Sequence, residues 1–152
     1  MSRWSSSFRP RVELDLPDGW SVEEYEDAAS FASDRSDMIV DVIVHEMPES
    51  DLVGMLAILM RSPGLKVFDL AEVEVSGRRG WRFAADVIED MTYDGVAGET
   101  ADAGDRTIVH VLGAGDRVLA IHATAHGARF REYAEDVDAL IASLRIDDRA
   151  AG

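Results

Sequence analysis

A chain of 152 residues with 47% hydrophobic content has the size and the apolar material of one packed domain. Thirty acidic residues against fifteen basic ones give a formal charge of -15, which repels a polyphosphate backbone and an anionic lipid surface and argues against nucleic-acid and peripheral-membrane roles. With no cysteine, disulfides, thiolate nucleophiles and cysteine-ligated zinc are excluded.

Residues 1–10 are rich in Ser and Arg without periodicity, which predicts a flexible N-terminal arm unless Trp4 and Phe8 dock on the body. No apolar run reaches signal-peptide or transmembrane length, so the cytoplasm is the expected address. Residues 12–16 alternate as a strand, and Pro17-Asp18-Gly19 is a turn because Pro presets its backbone angle and Gly accepts a positive one. An extended pattern resumes over 20–25, and 31–37 form a connection of undefined shape. Residues 38–45 are apolar on both faces apart from Asp41 and His45, as in a central strand covered on two sides. Helix-start signals at 48–51 introduce a helix over 52–60, ended by Ser62-Pro63-Gly64.

A long strand over 65–75 leads through a turn at 76–80 into the alternating stretch 81–87. Residues 90–105 are polar and glycine-bearing, a loop with a short strand near Thr92 and Tyr93. Residues 107–112 and 117–124 pair as a hairpin across 113–116, and an amphipathic helix covers 128–144. The predicted organisation is one α+β domain over 11–146 with a C-terminal tail at 147–152. An antiparallel sheet with a helix after its third strand and another at the C-terminus covers both faces of 38–44, and Trp20 is expected to be buried.

Leu16-Pro17-Asp18-Gly19-Trp20, Val75-Ser76-Gly77 and Ile141-Ala142-Ser143-Leu144, with the order of elements between them, resemble the PsbP/Mog-like fold family, whose bacterial members include secretion-effector chaperones and lipoproteins. The resemblance implies an α/β/α sandwich, an antiparallel β-sheet flanked by helices on both faces. It carries over no catalytic residue.

The candidate chemistry is sparse. His45 and Asp41 share a strand face but stand about 13 Å apart at ~3.3 Å per residue, too far for a hydrogen bond. His122 and His126 have metal-ligand spacing only on a helix, yet the pattern before them reads as strand. His110 shares a face with His122 only if their hairpin closes through three residues. Glu89, Asp90, Asp94, Glu99, Asp102 and Asp105 crowd one loop without EF-hand spacing. There is no phosphate-cradling glycine motif and no nucleophile elbow, so no catalytic residue, metal or cofactor is expected.

Arg78 and Arg79 form the densest basic spot on an acidic chain. In the first helix Ile58, Met55, Leu59, Leu52, Leu56, Met60 and Val53 sweep about 220° of circumference, roughly twice what one core contact needs. Either a loop covers the surplus or it meets a partner. The leading expectation is a non-enzymatic protein-binding module, an adaptor or chaperone, contacting a partner protein or a second copy through Met55, Ile58, Leu59, Arg78 and Arg79. The alternatives are a small apolar-ligand carrier with a sheet-helix cleft at Trp20, Trp81 and Phe83, and, third, a small enzyme using His45 or His122.

Overall fold

The computed structural model describes residues 2–92 and 100–147, with the side chains of 91, 92 and 100 left aside. Seven antiparallel strands form the main sheet: β3 (Ser21–Glu24), β4 (Ala28–Ala32), β5 (Met38–His45), β6 (Leu65–Val75), β7 (Arg78–Val87), β10 (Asp105–Ala114) and β11 (Arg117–His126). Their spatial order is β3-β4-β5-β11-β10-β7-β6. A second sheet of three strands joins β1 (Ser2–Ser5), β2 (Arg11–Leu16) and β12 (Arg145–Asp147), and β8 (Met91–Thr92) pairs with β9 (Thr100–Ala101). Helix α1 (Leu52–Met60) follows a 3-10 turn at Glu49–Asp51, and α2 (Gly127–Ala142) follows β11.

Strand alternation divides the apolar side chains between two cores. Met38, Val40, Val42 and Val44 of β5 and Leu119, Ile121, Ala123 and Ala125 of β11 face α2 and the small sheet, where Phe130, Val137, Leu140, Leu14 and Leu16 meet them. On the opposite face Phe83, Ala85, Val109, Val111 and Val118 receive Leu52 and Leu56 of α1. Helices therefore lie on both faces, and the central position expected for residues 38–45 is found, with β5 between β4 and β11. The helix after it follows the fifth strand in the chain, not the third. Nine residues of α1 span about 14 Å at ~1.5 Å per residue, so it packs chiefly over β7 and β10. Ile39 and Ile43, on that same face of β5, stay half-buried.

Several expectations are corrected. The N-terminal residues are not a loose arm: β1 pairs with β2, and Trp4 stacks edge-on against Phe31 at 4.9 Å between ring centres, since docking two aromatics buries more than a mobile arm could. β4 was not legible, because its Ala-Ala-Ser-Phe-Ala sequence lacks β-branched residues and only pairing with β3 and β5 makes it a strand. The first hairpin turns at Ser76-Gly77 alone, and the second at Gly115-Asp116 alone, so β7, β10 and β11 are longer than predicted, while β6 keeps its predicted bounds of 65–75. Trp20 is half-buried and not enclosed, lying 6.2 Å edge-on from Tyr133 of α2. Of the tail at 147–152, Asp147 belongs to β12 and the rest lies outside the described residues. Tyr93 likewise lies outside them, while Thr92 is in β8. No helix among the described residues is long and apolar enough to cross a membrane.

Gly80 of β7 passes so close to β10 that a Cβ would overlap the Val111 carbonyl. Gly80→Ala must push two hydrogen-bonded strands apart, and it is expected to cost about 2 kcal/mol or more. A urea midpoint unchanged from the parent would contradict this strand spacing.

Candidate functional site

The 3-10 turn before α1 is latched to the β10–β11 turn twice: Glu49 N–H donates to the Gly115 carbonyl at 3.0 Å, and Gly115 N–H donates to Glu49 Oε2 at 3.1 Å. The latch fixes the start of a helix that contains no charged residue. Leu52 and Leu56 are buried, Met55, Leu59 and Met60 pack partly against the same core, and Ile58 (66%) and Val53 (63%) stand exposed on opposite shoulders. Of the predicted contact residues on α1, Ile58 alone is open. Met55 and Leu59 are engaged with the core because they fall on the flank of the Leu52–Leu56 stripe.

The predicted arginine pair is split, since neighbouring residues of a strand point to opposite faces. Arg78 is half-buried and donates to the Ile146 carbonyl at 3.5 Å on the side of the small sheet. Arg79 is exposed on the α1 side, where it lines a groove of about 650 Å³ with Glu49, Val53, Glu72 and Trp81, a groove that Arg78 also borders. The supposed cleft of Trp20, Trp81 and Phe83 is not assembled. Trp20 lies against α2 on the far face, Trp81 lines the groove, and Phe83 is fully buried. Phe83 borders a cavity of about 50 Å³ with Leu59, Thr107, Val109 and His122, room for about one or two waters and no more.

The two-residue turn at Gly115-Asp116 settles the histidines. His110 faces Ile121 across the ladder and His122 faces Val109, so the two point to opposite sides of the sheet. His122 instead stands opposite Asp41, which stands opposite Ser30, so three strands bring one polar row onto the α1 side. That row was missed because its members come from strands 81 positions apart in the chain at the Asp41–His122 step, and only the register joins them. Asp41 is buried, and His45 Nε2, four residues along, is buried with no hydrogen-bond partner among the described residues. His122 and His126 lie in strand geometry, as the pattern predicted. Among the described residues no three His, Cys, Asp or Glu side chains could hold a metal ion. In the acidic loop Asp90 accepts from Ala103 N–H and Asp105 from Asp102 N–H, both at 2.9 Å, while Asp94 and Glu99 lie outside the described residues.

Burial sets the electrostatics of these groups. Desolvation pushes His122 down to about 4, with the neighbouring His45 adding to it, and desolvation then Arg82 push His110 down to about 4. Desolvation also lowers His45, opposed by Asp27. On the α2 side a hydrogen bond from Tyr133 holds the Asp37 carboxyl below its usual range and ties the helix to the loop before β5.

No protein-family profile matches this chain, and no curated protein matches its sequence. Solved structures do match in shape. Cyanobacterial PsbP (CyanoP) from Synechocystis sp. PCC 6803 superposes with a TM-score of 0.65 at 11% identity, over 95% of this chain and 91% of that one. LpqN of Mycobacterium tuberculosis, described as involved in cell envelope biogenesis, gives 0.63 at 13% identity over 96% and 91%. The Ran-binding protein Mog1p of Saccharomyces cerevisiae gives 0.57 at 10% identity over 97% of each chain.

Because His110 and His122 ordinarily titrate near 6.5 and are pushed down to about 4 in the fold, the unfolded chain takes up protons that the folded chain refuses. Above the ordinary value neither histidine penalises folding. As pH falls from 6.5 towards 4, each is expected to remove up to about 1.4 kcal/mol of stability per pH unit. Urea midpoints across that window should fall less steeply in a His110→Gln/His122→Asn variant. Parallel slopes in variant and parent would remove the histidines as the cause.

At this level of identity the agreement concerns architecture: the chain has the PsbP/Mog-like fold, an antiparallel sheet with helices on both faces.

Proposed function

We propose that this chain is a non-enzymatic protein-binding module, an adaptor or chaperone whose contact surface centres on the exposed shoulder of α1. The observation that carries the reading is Ile58, 66% exposed on a helix without a single charged residue. Solvating a large aliphatic side chain forgoes about 25 cal/mol per Å² of apolar surface that a partner could bury. Val53 and the groove beside it extend the same side of the molecule, with Trp81 as an aromatic wall and Arg79 as its cation. The Ran-binding description of Mog1p supports the reading to the extent that one protein of this shape binds another protein.

A partner of different sequence fits better than a second copy. Two chains of charge -15 repel, and the repulsion grows as their surfaces approach. An enzymatic role for His45 or His122 finds no support in the site, because the cavity that His122 borders holds about 50 Å³ and His45 Nε2 is buried with no hydrogen-bond partner among the described residues. A ligand carrier finds none either, with Trp20 on the far face.

Ile58→Asp tests the reading. The substitution exposes a charge where a side chain is already wet, so the melting midpoint should stay near that of the parent, within about 0.5 kcal/mol of stability. Binding to a purified partner should weaken by about 2 kcal/mol or more, because the carboxylate is desolvated only in the complex. Unfolding of the variant, or unchanged affinity, would overturn the proposal, and sedimentation of the parent as a dimer would identify a second copy as the occupant.

A further inference from the structure

We infer that the open edge of β6 binds an extended, lysine- or arginine-bearing segment of another protein by strand addition. The inference rests on the binding-module reading and names the partner's chemistry and its mode of contact.

β6 is the last strand of the main sheet, eleven residues long, and nothing among the described residues pairs with its other side. Which of its backbone groups are open follows from the turn. Ser76 and Gly77 both have positive φ, 52° and 77°, the geometry of a two-residue hairpin whose closing pair, Val75 and Arg78, exchanges both hydrogen bonds. Antiparallel pairs alternate from there, so Val75, Val73 and Ala71 turn their N–H and C=O groups towards β7, and Glu74, Glu72 and Leu70 turn theirs outward. An irregularity between Val67 and Asp69 ends the regular edge. The usable template is thus Leu70 to Glu74, an unpaired row of donors and acceptors that only another extended backbone matches.

The side chains state the partner's chemistry. Leu70, Glu72 and Glu74 point to the α1 side and are exposed, while Ala71, Val73 and Val75 point to the other side and are half-buried. A residue added opposite Glu72 or Glu74 lands beside a carboxylate, and one opposite Val73 lands on apolar surface. Glu72 also lines the groove with Val53, Arg79 and Trp81, so a strand on β6 runs along the rim of the surface proposed for α1. A second copy of this chain would set Glu72 and Glu74 against their own counterparts. The same carboxylates that admit a basic strand therefore reject self-pairing along this edge.

The probe is a capped peptide of alternating lysine and valine, with alternating glutamate and valine as the control, and the readout is amide hydrogen exchange in the full chain. The lysine peptide should slow exchange at Leu70, Glu72 and Glu74 by about tenfold or more, sparing Ala71 and Val73, whose amides are already held by β7. The glutamate peptide should leave the edge unchanged. Glu72→Pro removes one outward N–H without touching the ladder to β7, and it should abolish the protection while the melting midpoint holds. If that variant fails to fold, the double variant Glu72→Lys/Glu74→Lys takes its place, and it should exchange the preference of the two peptides. Protection spread over the molecule, absent from the edge, or insensitive to these substitutions overturns strand addition. A partner that binds through Ile58 and leaves the β6 amides unprotected removes strand addition and leaves the binding-module reading in place.

Discussion

The register between β10 and β11 is the constraint on which the remaining arrangement depends. A two-residue turn with Gly115 at φ 71° closes the hairpin, Ala114 faces Arg117, and every later pair follows. Side chains alternate with a period of two, so a turn longer by one residue would invert one strand relative to the other. Leu119 and Ile121 would then face α1, and Val118 and His122 would enter the core beneath α2. The latch between Glu49 and Gly115 couples this turn to the start of α1, and a Cβ at Gly113 would come within 2.7 Å of Glu49 Oε2. One local geometry therefore sets both the strand register and the seat of the helix.

The two faces that result differ in kind. The face beneath α2 and the small sheet is continuous and apolar, and apart from Phe83 the best-buried large side chains, among them Phe31, Met38, Leu14, Leu119, Ile121 and Leu140, belong to it. The face beneath α1 is divided. Its β7 and β10 half is apolar and covered, whereas its β4, β5 and β11 half carries Ser30, Asp41, His45, His122 and Thr124. A nine-residue helix cannot cover seven strands at about 4.8 Å spacing, and in the half that lies beyond it Ser30, Asp41 and Thr124 are nonetheless buried. The depressed titration of His122 is the electrostatic record of that arrangement: the imidazole is held neutral because burial penalises its charged form.

Structural neighbours at 10–13% identity share this layered plan over nearly the whole chain. Hydrophobic alternation and turn chemistry suffice to keep such a plan while surfaces diverge, which is why function must be argued from the open features of this chain. Here those features are an uncharged helix with exposed shoulders, a groove walled by Trp81 and Arg79, and an acidic strand edge, all on one side of the sheet.

The sequence alone determined the elements whose signals are local. The helix over 52–60 was legible from its apolar run between Pro48 and Pro63, β5 and β6 from their strand patterning, and the surplus width of the apolar arc on α1 from its spacing, whereas the exposure of Ile58 and Val53 within that arc was decided by the fold. Tertiary structure alone decided what depends on pairing. β4 lacks β-branched residues, β1 is ordered by β2 and by Trp4 against Phe8 and Phe31, and Arg78 and Arg79 part because β7 begins three residues earlier than its alternation suggested. The polar row of Ser30, Asp41 and His122 and the outward amides of β6 were likewise hidden. Periodicity reports which residues share a face of one strand, but which strands become neighbours, and in what register, is set by long-range packing that no window of the sequence contains.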